Sequence, residues 1–194
     1  VEMTQATILA HEVWAKARQN NDYKAFQPTL ERQMDLARQS AEHLGYEGNP
    51  YNALLNQYER GATFDQVKAI FDGHKQQLVD LISAISEAEQ VDDGPVRQVF
   101  DIEKQREFGL WVVENFGFDF SRGRQDISVH PFATSFSVND VRITTRFNDD
   151  FLNPALFGLM HEAGHGMYEA GVSPDLEGTL LANGTSLGVH ESQS

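Results

Sequence analysis

Met160-His161-Glu162-Ala163-Gly164-His165-Gly166 decides how the rest of the chain is read. His161 and His165 are four residues apart, so on a helix both imidazoles project from one face, one turn apart. Two imidazoles so placed can each give a nitrogen to one zinc ion. Glu162, next to the first histidine, projects beside such an ion rather than onto it. That is the place for a carboxylate that takes a proton from water at the metal. The surrounding residues predict the helix. Asn153 can cap its start, Pro154 suits its first position, and Gly171 followed by Pro174 supplies the stop. Leu156, Leu159, Met160, Ala163 and Met167 recur along it. Gly158, Gly164 and Gly166 each cost a helix about 1 kcal/mol against Ala, which implies that another backbone or a substrate comes close. An amphipathic helix with two incidental histidines is the plainer reading. It does not account for the coincidence of helix context, enclosed Glu162 and a suitable third ligand downstream.

A third ligand should be a carboxylate or a histidine on a later element. Glu191 follows His165 by 26 residues, enough for the chain to leave the helix, turn at Gly178, Asn183 and Gly184, and return. Thr185 or Ser186 can cap a second helix carrying His190 and Glu191. Glu169 and Glu177 are rivals. Glu169 is four residues after His165, near the end of its helix, where rotation carries it off the metal face. Glu177 falls in an expected loop.

Going outward, 194 residues can bury one good-sized core. There is no cysteine, hence no disulfide and no thiolate ligand, which fits a reducing, cytoplasmic setting. No apolar run is long enough to span a membrane, and the start carries no signal-peptide pattern. The formal charge of −14 disfavours phosphate backbones, so nucleic acid is not an expected partner. The chain starts at Val1 and stops three residues after Glu191, and it is expected to be a piece of a longer protein, continuing at both ends.

Residues 1–116 read as helical. Thr4–Gln19 is one helix, with His11 a surface or packing residue. A second is capped by Asp22, starts as late as Gln27 because of Pro28, and ends at Gly45, leaving His43 exposed. A short stretch opens at Pro50. Thr63 and Gln66 form a capping-box pattern before Phe64, Val67, Phe71, His74, Leu78, Leu81, Ile85 and Ala88, a seam expected to pack against another helix with His74 inside it. Gly94-Pro95 precedes a helix expected from about Val96 to Asn115. Residues 117–150 change character and predict two or three short antiparallel strands. In Asp140-Val141-Arg142-Ile143-Thr144 the alternation is strict, with Arg142 on the polar face. Arg142 either meets a peptide carboxylate in a two-pronged contact or pairs with an acid such as Asp140 as scaffold. His130-Pro131-Phe132 is a rigid corner whose histidine faces the cleft or caps the turn. Residues 151–194 carry the metal-site helices.

Four pieces together resemble the carboxypeptidase Taq family of metallocarboxypeptidases: His130-Pro131-Phe132, Asp140-Val141-Arg142-Ile143-Thr144, His161-Glu162-Ala163-Gly164-His165 and His190-Glu191-Ser192-Gln193. They occur in the family's order and at about its spacing. The resemblance implies a mainly α, multi-helix, zincin-like metallopeptidase fold with a small antiparallel sheet next to the metal helix. It implies His161, His165 and Glu191 as metal ligands, zinc or cobalt as the metal, and Glu162 as general base. His130 and Arg142 would line the substrate cleft. It further implies release of single residues from peptides with a free C-terminus, and a homodimer. Family members are more than twice this length, so the donor that holds the oxyanion is expected outside the chain. Two alternatives remain: an endopeptidase or aminopeptidase of the same zinc class, and a catalytically incomplete fragment.

Overall fold

A computed structural model describes residues 1–192; Gln193, the last member of the fourth motif, lies outside the described residues. The chain divides into two compact units, Val1–Glu87 and Ala88–Ser194.

The first unit is helical: α1 (Glu2–Gln19), α2 (Tyr23–Leu44), α3 (Tyr51–Leu55) and α4 (Phe64–Glu87). Small side chains let α1 and α2 approach, with Ala10, Ala17, Leu36 and Ala41 buried. The Asp22 side chain caps α2 by accepting from Ala25 N at 3.1 Å. That cap starts the helix at Tyr23, ahead of the expected Gln27, and the helix continues through Pro28. The capping box at α4 is reciprocal: Gln66 N donates to Thr63 Oγ1 and Thr63 N donates to Gln66 Oε1. The seam that follows differs from expectation. α4 has no buried residue, and His74 is exposed rather than packed. The five-residue α3 lies against α4 and is too short to cover a helix of 24 residues.

In the second unit a 3-10 turn at Gly94–Val96 precedes α5 (Ile102–Phe116). α5 begins six residues later than expected because Asp101 is extended and caps it, accepting from Lys104 N at 3.0 Å. Three strands follow: β1 (Gly123–Ile127), β2 (Ala133–Ser137) and β3 (Asp140–Thr145). Their order is β1-β3-β2, with β1 parallel and β2 antiparallel to β3. The sheet is therefore mixed rather than wholly antiparallel. The His130-Pro131-Phe132 corner reverses the chain and leaves a one-strand gap that β3 fills.

Strand alternation then sets the core. Val141, Ile143 and Thr145 point inward and are at most 2% exposed, while α6 (Asn153–Ala170) packs across them. Val113, Phe118, Leu159 and Ala163 complete the cluster. The Val, Ile, Leu and Phe side chains among them each contribute roughly 1.5–3 kcal/mol by leaving water. At α6 the helix opens at Asn153, the expected cap residue itself, so the cap position falls one residue earlier, at Leu152, and Pro154 lies in the first turn; Gly171 ends it. Gly166 meets the sheet: a Cβ there would stand 2.8 Å from Phe118 Cε2 and 3.1 Å from Ile143 Cγ2. A 3-10 turn at Pro174–Leu176 leads to α7 (Leu187–Glu191), capped by Ser186, whose hydroxyl accepts from Val189 N at 3.1 Å.

Candidate metal centre

The face of α6 turned away from Leu159 and Ala163 carries His161 and His165, whose Nε2 atoms are 3.1 Å apart. Glu191 Oε2, brought back on α7, lies 3.8 Å from His161 Nε2 and 3.6 Å from His165 Nε2. Among the described residues these three form the group able to hold a metal ion. Their spacing fits one. Ligand atoms about 2.0–2.1 Å from a tetrahedral zinc stand about 3.3 Å apart, within the observed span. Two nitrogens and a carboxylate oxygen are also the donor types that zinc takes while leaving one position open.

Glu162 lies beside this triangle, 6% exposed. Burial pushes its carboxyl up from the ordinary range; the nearby Glu191 pushes the same way, and His161 and His130 oppose them. Burial also pushes His165 down, which favours the neutral imidazole that a metal requires. The cleft in front measures ≈ 610 Å³ and is lined by His130, the β2 residues Ala133–Ser135, Leu187 and the metal-site residues. β2 is an edge strand and gives three consecutive residues to this lining.

The structure brings together His161, Glu162, His165, Glu191 and His130 and leaves out Arg142. Arg142 projects from the opposite face of β3, holding Asp140 by two bonds of 2.9 and 2.8 Å and lying over the Phe136 ring. Beside it Arg124 holds Asp126 in the same two-pronged manner. These guanidinium groups keep both carboxyls below their ordinary values. Of the rival ligands, Glu177 accepts from Val138 N at 3.0 Å and braces the β2–β3 turn. Glu169 faces the cleft, but its Oε1 lies 2.8 Å from His190 Nε2. His190 in turn approaches His165, Nδ1 to Nδ1, at 2.6 Å. Sequence reasoning did not pair Glu169 with His190. The available signal was Glu169 one helical turn beyond His165, together with a histidine adjoining Glu191.

The sequence profile of the family described as carboxypeptidase Taq (M32) metallopeptidase matches residues 1–194. Carboxypeptidase 1 of Bacillus subtilis is 36% identical over 186 residues, covering 95% of this chain and 37% of the relative. Thermostable carboxypeptidase 1 of Pyrococcus furiosus is 37% identical over 196 residues, covering 100% of this chain and 39% of the relative. Among solved structures, the M32 carboxypeptidase of Deinococcus radiodurans R1 superposes with a TM-score of 0.85 at 38% identity, over 99% of this chain and 39% of that one. The BsuCP crystal structure superposes at 0.92 with 35% identity, over 99% and 39%. The chain thus spans about two-fifths of the length of the curated relatives it matches.

Proposed function

This chain belongs to the carboxypeptidase Taq (M32) metallopeptidase family, and from that membership we propose that it carries the catalytic centre of a metallocarboxypeptidase acting on peptides with a free C-terminus. The observation that carries the reading is the triangle of His161 Nε2, His165 Nε2 and Glu191 Oε2 beside a buried Glu162. Those three atoms would hold a divalent metal, and their chemistry favours zinc, with cobalt the second choice. When bound, the ion supplies Lewis acidity toward water and the scissile carbonyl.

The chain's own residues supply the proton transfers and part of the cleft wall, with the donor that holds the oxyanion expected from outside the chain. Glu162 accepts a proton from water in the cleft on a carboxylate oxygen, and the deprotonated water attacks the carbonyl carbon. Glu162 then hands the proton to the leaving amine nitrogen. A carboxyl raised by burial suits both halves of that exchange, because proton transfer is most efficient when the group's pKa lies near the working pH. The outer edge of β2 offers main-chain N–H and C=O groups to an extended peptide. His130, on the lining, is the side chain placed to orient the substrate, whereas Arg142 is assigned to the scaffold. No described helix is long and apolar enough to cross a membrane. The cytoplasmic setting and the homodimer rest on composition and family resemblance.

The test compares a free peptide with its C-terminally amidated twin, using the full-length protein and its Glu162→Gln variant. Glu162→Gln should keep its zinc and lose turnover by at least about 100-fold, and the amidated peptide should resist. Equal hydrolysis of both peptides, full activity in the variant, or a zinc-loaded full-length protein with no hydrolysis at all would overturn the reading.

A further inference from the structure

Two largely buried titratable side chains in the cleft take no part in the chemistry above: Glu169 and His190, with side chains 16% and 18% exposed. We propose that Glu169 and His190 are positioning residues, acting as one hydrogen-bonded chain that fixes which nitrogen of His165 faces the metal. The inference deepens, and rests on, the reading of His165 as a metal donor.

Counting donors leads to it. An ionised carboxylate accepts hydrogen bonds and donates none. Glu169 is supplied from three directions: Gly184 N donates to it at 3.3 Å, Ser135 Oγ donates at 3.3 Å, and His190 Nε2 lies 2.8 Å from Oε1. His190 Nε2 must therefore carry a hydrogen. In a neutral imidazole the other nitrogen is then bare, and here that atom is Nδ1, 2.6 Å from His165 Nδ1. Two nitrogens at that separation share one hydrogen, so His165 Nδ1 donates it. His165 Nε2 is left with its lone pair, and this is the atom beside His161 Nε2 and Glu191 Oε2. Each hydrogen in the row is placed by the carboxylate at its end.

The framework is built to hold that row. Glu169 and His165 share the rigid helix α6, one turn apart. His190 bridges them from α7, next in sequence to Glu191, so one turn of chain delivers both the third donor and the bridge. The Tyr168 ring meets His190 edge-on at 4.8 Å. Gly184 closes the other side: a Cβ there would stand 2.9 Å from His190 Cδ2 and 3.0 Å from Glu169 Oε1. Outer partners of this kind, orienting a ligating imidazole, carry a measurable share of metal affinity.

The experiment needs no activity. In the nitrogen-15-labelled, metal-free chain, long-range proton–nitrogen correlation should find His165 protonated at Nδ1 and bare at Nε2. His190→Phe keeps the ring volume and removes the nitrogens; Glu169→Ala removes the acceptor. Both should release His165 to the Nε2–H form and weaken zinc, measured by chelator competition, by about 10–100-fold. The double variant should bind no more weakly than His190→Phe alone. Glu169→Gln keeps an acceptor oxygen and should restore the Nδ1–H form, a rescue that packing alone would not produce. If His165 stays Nδ1–H in both disruptive variants, or zinc affinity moves by less than about twofold, the positioning role is overturned while the metal site stands. A wild-type chain that takes up no zinc would overturn both readings, and so tells the two failures apart.

Discussion

Helices α4 and α6 reverse what their sequences promise. α4 has the cleaner stripe, with apolar residues at spacings of three and four over 24 residues, and buries none of them. α6 is interrupted by Gly158, Gly164 and Gly166, yet buries Ala155, Leu159, Glu162, Ala163, His165 and Gly166. A stripe states what a helix is able to bury. A glycine facing a neighbour, as Gly166 faces Phe118 and Ile143, states how closely something comes. In α6 the second signal located the core and, by exclusion, the face left for the histidines.

The comparison can be broken by substitution. Leu159→Ala should cost the most, about 2–5 kcal/mol, because Leu159 is 1% exposed and its neighbours are fixed by strand and helix; denaturant unfolding of the second unit would read it. A loss below about 1 kcal/mol would mean that the α6 core is loose. Gly166→Ala comes next, at about 1–3 kcal/mol for forcing a methyl group against Phe118. Zinc affinity should fall with it, since the same turn carries His165.

A pH series sharpens the same point within α6. Burial raises the Glu162 carboxyl above its ordinary 4.5, so the folded chain holds that proton more tightly than the unfolded one. The resulting stability is fully present below the ordinary value and is lost as pH rises through the raised one. Metal-free Glu162→Gln should therefore match the wild type in acid and exceed it in thermal stability once Glu162 is ionised. A variant that is less stable than wild type at neutral pH would sink the burial argument. The smallest effect is expected on α4. Leu81→Ser, at a residue 55% exposed, should change stability by no more than about 0.5 kcal/mol. A larger loss would show that the stripe is covered in solution and that the contrast with α6 is false.

The sequence made much of this legible where local rules act alone. The Asp22 and Ser186 caps, the Thr63–Gln66 box and the His161–His165 pairing follow from spacing within a turn. What it did not display depends on distant partners. The parallel pairing of β1 with β3 joins residues about 18 apart across an intervening strand, and no local pattern announces it. The orientation of Arg142 was left undecided because alternation assigns a face without saying which face the metal helix takes. Val141 and Ile143 decided that by burying against α6. Glu169 looked like a weak ligand candidate until His190 arrived from another element to occupy it.

The strand order β1-β3-β2 also carries a consequence for the birth of the molecule. The central strand is the last of the three to leave the ribosome, so β1 and β2 emerge with no partner in each other and wait for Asp140–Thr145. α6 follows within ten residues. The sheet and the helix that presents the histidines thus become able to form almost together, and translation delivers no half-built sheet with a long-lived open centre for other chains to join.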